Sequence, residues 1–434
     1  MTRRMTVALL LALAPLAGPA TNRYVSLSGG HVPPFTNWAD AATNIQAAVD
    51  VSGNGDEIRI APGRYRADTN SIEATHAVNY YNFYGTNVVY VREKNLALRG
   101  ASGNPADVVI DGEGRNRGVG FYNGGGAAYQ HIPFLLDSLT ISNCYAATNG
   151  AAVYWSCPVL VSNWMRNCVI VNNTTASSGA VLDQYKRNAT GPCLLLTDTI
   201  VRRNQAPGST CQSTYGTDRI ERCILEDNTG IALLLSYGTA EIHQTVFRGN
   251  TSVTLQRGAG LSVYRTGTVR VFNSLISGNT CAATMGSGGL YNDRGQPPLV
   301  MHSTIVSNVT YGSGYAGGIQ SSNQVVNSIV YNNYESNGVL RNYSGVITFT
   351  HSCTSPTNAY PDAGNLDAPP GFVDAGGGNF RLAAGSPCIN AGTNQPGMDD
   401  TTDLDGRPRL DRVWRQPDMG CYEYLPRATL LRLR

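Results

Sequence analysis

The stretch Cys168-Val-Ile-Val-Asn-Asn173 is answered by Thr199-Ile-Val-Arg-Arg-Asn204 and by Cys223-Ile-Leu-Glu-Asp-Asn228. The same six-residue phrase returns at Thr245–Asn250, Ser274–Asn279, Ser303–Asn308 and Ser328–Asn333. Successive Asn positions are 31, 24, 22, 29, 29 and 25 residues apart, a period that varies in length but not in kind. Such a period is the mark of a solenoid whose coils carry loops of different size. Five residues before each Asn stands Ser, Thr or Cys, and three before stands Ile170, Val201, Leu225, Phe247, Ile276, Ile305 or Val330. Side chains on a strand alternate between its faces, so these two positions point together into the coil. Stacked coils would then build ladders of small and aliphatic residues about 4.8 Å apart. The Asn suits a bend, because it tolerates left-handed backbone and its amide can bond the next one. β-Branched residues dominate and Gly interrupts every coil, which excludes a helical reading. The expected fold is all-β, a right-handed parallel β-helix.

Working outward, Leu139-Thr-Ile141-Ser-Asn143-Cys144 is an irregular copy that puts Cys144 in the Asn column. Upstream strands are expected at Glu57–Ile60, Val88–Val91, Asn95–Arg99 and Val108–Ile110, and an amphipathic capping helix over Trp38–Val51 with Ile45, Ala48 and Val49 inward. The helix would cover the open end of the solenoid. Residues 1–20 read as a secretory signal: Arg3 and Arg4, the apolar run Val7–Leu16, then Gly18-Pro19-Ala20. No later run is long and apolar enough to span a membrane, so export or display at the cell surface is expected. The organisation is therefore a signal (1–20), a solenoid (21–355) and a C-terminal region (356–434). A net charge of +2 provides no basic field for nucleic acid. The ten cysteines form no CxxC pair. Cys388 and Cys421 flank one compact segment, as a disulfide worth roughly 3–4 kcal/mol or as two buried thiols.

Three stretches resemble known proteins. Trp38…Ile45-Gln-Ala-Ala-Val49 with Gly55-Asp-Glu-Ile-Arg-Ile-Ala-Pro-Gly-Arg-Tyr65 resembles the N-terminal cap and first coil of pectate-lyase-like β-helix proteins. Asn95-Leu-Ala-Leu-Arg-Gly100 and Val108-Val-Ile-Asp-Gly112 resemble their next coil. Gly371-Phe-Val-Asp374, Ser386-Pro-Cys-Ile-Asn-Ala-Gly392 and Asp403-Leu-Asp-Gly406…Asp418-Met-Gly-Cys-Tyr-Glu423 resemble bacterial choice-of-anchor Q proteins. The resemblance implies the fold, surface attachment and a polysaccharide partner. It implies no single reaction, since one fold hosts lyases, hydrolases, epimerases and adhesins. The calcium-binding aspartates of pectate lyases, the paired Asp and Gly-His-Gly of polygalacturonases and a GxSxG elbow are not found.

Chemistry on such a rod belongs on outward columns. Two and six residues before the Asn, three neighbouring coils carry Asp198, Arg202, Arg222, Glu226, Gln244 and Arg248. One reading is an ion-pair ladder. The other is a site with Asp198 and Glu226 as catalytic carboxylates and Arg202, Arg222 and Arg248 holding an anionic sugar. No metal ligand set is assigned. Asp399-Asp400…Asp403-Leu-Asp405 is either a structural turn or a calcium site. Four before the Asn runs an apolar stripe, Val169 to Ile329, to be buried under loops or left as a groove. Tyrosines at 80, 81, 84, 90, 122 and 129, with Phe83, either pack loops or stack on sugars. The expected function is to bind polysaccharide outside the cell, with cleavage as a lyase or glycoside hydrolase. The rival is a non-catalytic adhesin or scaffold.

Overall fold

The computed structural model describes residues 20–67, 76–78, 81–83, 86–122, 133–156, 162–176, 179–185, 192–254, 257–357, 364–395, 398, 401–410 and 415–425. Residues 1–19 of the proposed signal, Tyr80, Tyr84, Tyr129, Asp399, Asp400 and the last nine residues lie outside them.

The chain winds into a right-handed parallel β-helix with three sheets, the first of 12 strands and the second of 11. One coil shows the plan: Thr217–Glu221 in the first sheet, Ile224–Glu226 in the second, Thr229–Ser236 in the third. Strands of neighbouring coils pair in parallel, so each inward position stacks on its counterpart. Ile58 lies on Leu98, Leu98 on Leu136, and the file continues through Ile220 and Val271 to Phe349. A second file runs through Ile141, Ile170, Val201, Leu225, Phe247, Ile276, Ile305 and Val330, all buried. Each such side chain contributes about 1.5–3 kcal/mol on burial.

The Asn column closes the coils from Asn173 to Asn333. The Oδ1 of Asn204 accepts from the main-chain N–H of Asn173 (3.0 Å) and from its Nδ2 (3.0 Å), while the Nδ2 of Asn204 reaches back to the Ile170 carbonyl (3.0 Å). The pattern repeats through Asn228, Asn250, Asn279, Asn308 and Asn333. Cys144 occupies the column as its alignment implies, with its N–H donating to Asn173 Oδ1 at 2.9 Å. The Ser/Thr column makes a parallel ladder, from Thr245 N–H to Ser274 Oγ (3.2 Å) up to Ser328 N–H to Ser352 Oγ (3.1 Å). One detail differs from expectation. The left-handed residue is the one before the Asn, at Asn172, Arg203, Asp227, Gly249, Gly278, Ser307 and Asn332. The ladder Asn is held by its amide, not chosen for its backbone.

Upstream, the strands fall at Glu57–Ile60, Asn87–Arg92, Ala97–Gly100 and Val108–Asp111. The helix is shorter than expected, Ile45–Val51, because Asn44 caps it by accepting from the Ala47 N–H at 2.7 Å. Ile45, Ala48 and Val49 are its buried face.

The apolar stripe meets two fates. On the later coils the C-terminal region covers it: Val246 and Leu275 pack with Phe380, Cys421 and Tyr422, and Ile329 with Leu382, Cys388 and Met419. On the earlier coils Val169, Ile200 and Ile224 stay half-buried. The cover is fastened by the turn between first and second sheets. Gln244 donates to Asp403 O (2.8 Å), Asn273 and the His302 carbonyl accept from Arg409 (2.9 and 3.1 Å), and Asn327 exchanges hydrogen bonds with Thr393 (2.7 and 2.8 Å). Arg409 is fully buried and paired with Glu423 at 2.8 Å. Of the two readings of Cys388 and Cys421, the structure has the pair of buried thiols and not the disulfide. Both are free thiols in separate apolar clusters.

Asn250→Ala strips partners from the buried Asn228 N–H and the Leu225 carbonyl. It should cost roughly 3 kcal/mol in denaturant unfolding, whereas Arg248→Ala on the exposed face should cost about 1 kcal/mol or less.

Candidate active site

The residues expected on the outward columns come together as two closed sets. Glu226, Arg202 and Arg248 share one file of the second sheet. Arg248 Nε donates to Glu226 at 2.8 Å and Arg202 stands 4.0 Å away. Asp198 and Arg222 occupy left-handed turn positions and form a two-pronged pair at 2.7 and 2.9 Å, with Glu221 also on Arg222. The Asp198 hydrogen bonds hold the Arg222 guanidinium firmly in its charged form. Each acid is thus matched by a base of its own set.

A pocket of about 250 Å³ lies elsewhere, on the outer face of the third sheet. Its floor follows from strand alternation. Val153 and Trp155 point inward, so Tyr154 points out; Leu182 and Gln184 point inward, so Asp183 and Tyr185 point out. Register then stacks Tyr154, Asp183 and Gln212 in one file, and Tyr185, Thr214, Ser236 and Tyr264 in the next. Asn149, Tyr237 and Arg257 complete the lining.

Asp183 is the chemically distinctive group. It is 2 % exposed, its Oδ2 accepts from Asn149 Nδ2 at 2.7 Å, and its buried Oδ1 has no hydrogen-bond partner among the described residues. Burial pushes its pKa up to about 7, against the pull of the Asn149 hydrogen bond and the Arg117 charge. Arg117, also buried, donates to the carbonyls of Gly150 and Asn149 (both 2.9 Å) and lies 5.7 Å from the Tyr154 ring centre. Burial and the Asp183 charge keep the Tyr154 phenol protonated well above its ordinary range.

The wall is aromatic and cationic. Tyr215 stacks on Tyr237 (5.0 Å), which meets Tyr264 edge-on (5.4 Å). The Arg257 guanidinium lies 4.6 Å from the Tyr264 ring centre and pairs with Asp293 at 3.0 Å. Tyr90 and Tyr122, from the group noted in the sequence, pack with Tyr154 beside the pocket. A carboxyl that exchanges its proton near neutral pH, beside phenols and a guanidinium, is equipped for acid–base work on a polar, ring-shaped ligand.

Sequence reasoning missed Asp183 because it followed the Asn phrase, which marks the second sheet. The third sheet has its own weaker phrase, a small pair then an alternating strand: Ala151-Ala-Val-Tyr154, Gly179-Ala-Val-Leu-Asp183 and Gly258-Ala-Gly-Leu-Ser262. Asp183 is the acid in its outward column. Among the described residues no three His, Cys, Asp or Glu side chains converge as metal ligands. Asp403 accepts from the N–H groups of Asp405, Arg407 and Glu423, and Asp405 pairs with Arg381.

No family model and no curated protein matches the chain. Three solved structures are similar to it in the course of the chain. A pectate lyase, Pel9A, has a TM-score of 0.48 and 16 % identity over 93 % of this chain and 97 % of that one. A rhamnogalacturonan lyase has 0.40 and 9 % over 82 % and 91 %. A mannuronic acid specific polysaccharide family 6 lyase from human gut microbiota has 0.22 and 13 % over 70 % and 87 %. The likeness concerns the fold. Among the described residues no helix is long and apolar enough to cross a membrane.

Asp183 binds its proton more readily in the folded chain than at its ordinary pKa of 3.8. Between pH 3.8 and about 7 the folded state therefore holds the extra proton, and stability falls as pH rises through that window. Asp183→Asn should lack this slope, so the wild-type melting temperature minus the variant's, measured from pH 4 to 8, should fall as pH rises to about 7.

Proposed function

We propose that this chain is a secreted or cell-surface protein that binds polysaccharide in the Tyr154–Asp183–Tyr264 pocket and cleaves it by proton transfer through Asp183. The observation that carries the reading is the buried Asp183 oxygen, unpartnered among the described residues, in a pocket walled by tyrosines. Asp183 is the one carboxylate among the residues lining the pocket. Glycoside hydrolysis in its usual form needs two carboxylates. Elimination needs one base for the carbon-bound proton and a group to meet the developing charge, roles that fit Asp183 and Arg257. The proposal is therefore a lyase on an acidic polysaccharide. In it, the Asp198–Arg222 and Arg202–Glu226–Arg248 sets stabilise the second sheet. The choice-of-anchor Q resemblance enters as surface attachment.

The test is turnover of acidic and neutral polysaccharides, followed as unsaturated product and as new reducing ends. Asp183→Asn should lower product formation about 100-fold or more, and Tyr264→Ala should weaken binding about tenfold. Glu226→Gln should leave turnover unchanged. Full activity in Asp183→Asn would remove that carboxyl from the reaction. Binding without product would make the chain a recognition rod, the reading favoured by the closed ion pairs on the second sheet.

A further inference from the structure

The C-terminal region returns to the end of the solenoid at two sulfurs. Cys353 belongs to the last strand of the second sheet, paired through Ile329 to the coil below. Cys388 lies on the segment that covers that coil, with its carbonyl accepting from the Met419 N–H at 3.0 Å. Both are wholly buried in one apolar cluster with Ile329, Tyr331, Leu382 and Met419. The neighbouring Cys388 thiol, ahead of burial, pushes the Cys353 thiol up, and Cys353 donates to the Ala368 carbonyl at 3.2 Å. Other described thiols instead turn to the main chain of their own turns, Cys144 to Ser142, Cys168 to Arg166 and Cys223 to Glu221.

We infer that Cys353 and Cys388 are a disulfide site, which staples the C-terminal cover to the last coil of the solenoid. The loop so closed contains the antiparallel hairpin of Phe372–Asp374 and Asn379–Leu382. Each thiol gives up a proton and one electron as the sulfur–sulfur bond forms. A small-molecule disulfide such as oxidised glutathione accepts both electrons and both protons and leaves as two thiols. Because both sulfurs are buried, the exchange belongs to folding, before the cover seats. The inference is independent of the pocket on the third sheet.

The experiment uses the full chain refolded with oxidised glutathione, alkylated without reductant, digested and read by mass spectrometry. The expected product is a Cys353 peptide joined to a Cys388 peptide, lost on reduction, with Cys421 alkylated. Reductant should lower the melting temperature of this material, and the double variant Cys353→Ser/Cys388→Ser should show no such dependence. Complete alkylation of both Cys353 and Cys388, or linkage of Cys388 to Cys421, overturns the inference. The wild-type mass readout stands even where the double variant does not fold.

Discussion

The coils from Asn173 to Asn333 are registered by one hydrogen-bonded unit, an asparagine whose carboxamide replaces two main-chain partners at once. Its oxygen takes the N–H and amide of the Asn below, and its nitrogen satisfies a carbonyl of that same lower coil, as Asn204 does for Asn173 and Ile170. A bend inside a solenoid leaves main-chain groups that no sheet can pair, and burying them bare would cost a few kcal/mol each. The side chain that does this at each of these coils must be a primary amide of that one length. Spacing between coils is then free to vary, because the ladder pins the bend and not the loop that precedes it.

This separation of frame from surface explains how one column serves different ends. The turn between the first and second sheets is left-handed at Asn167, Asp198, Arg222, Gln244, Asn273, His302 and Asn327. On the middle coils it carries the Asp198–Arg222 ion pair. On the later coils the same backbone position reaches the C-terminal region through Gln244, Asn273, His302 and Asn327. The third sheet does the same with its outward file, which changes from Tyr154 to Asp183 to Gln212 without disturbing Val153, Leu182 and Cys211 beneath.

The frame was legible because it repeats. The Asn phrase placed the second-sheet strands from Val169 to Tyr331, the inward residues and the misfit at Cys144, all of which depend on local pattern. The helix end at Asn44 was less legible, since Trp38–Thr43 is apolar enough to extend a helix that a single cap cuts short. The cover over Leu275 and Ile329 was not readable, because the residues that bury the stripe lie far along the chain, from Leu382 to Tyr422. Asp183 escaped for a different reason. Its carboxyl is distinctive through burial and an oxygen with no partner among the described residues, neither of which leaves a trace in local sequence. The charged residues that do stand out, Asp198, Arg202, Arg222, Glu226 and Arg248, are conspicuous because their neighbours neutralise them.

The pocket draws its lining from five successive coils, each held to the next by the same ladder. Its dimensions along the axis therefore come in whole steps of one strand spacing. Loss or duplication of a single period would slide a new row of side chains under Tyr264 while every bend stayed satisfied. For such a molecule the natural unit of variation is the coil, and a change of specificity can be an edit in length.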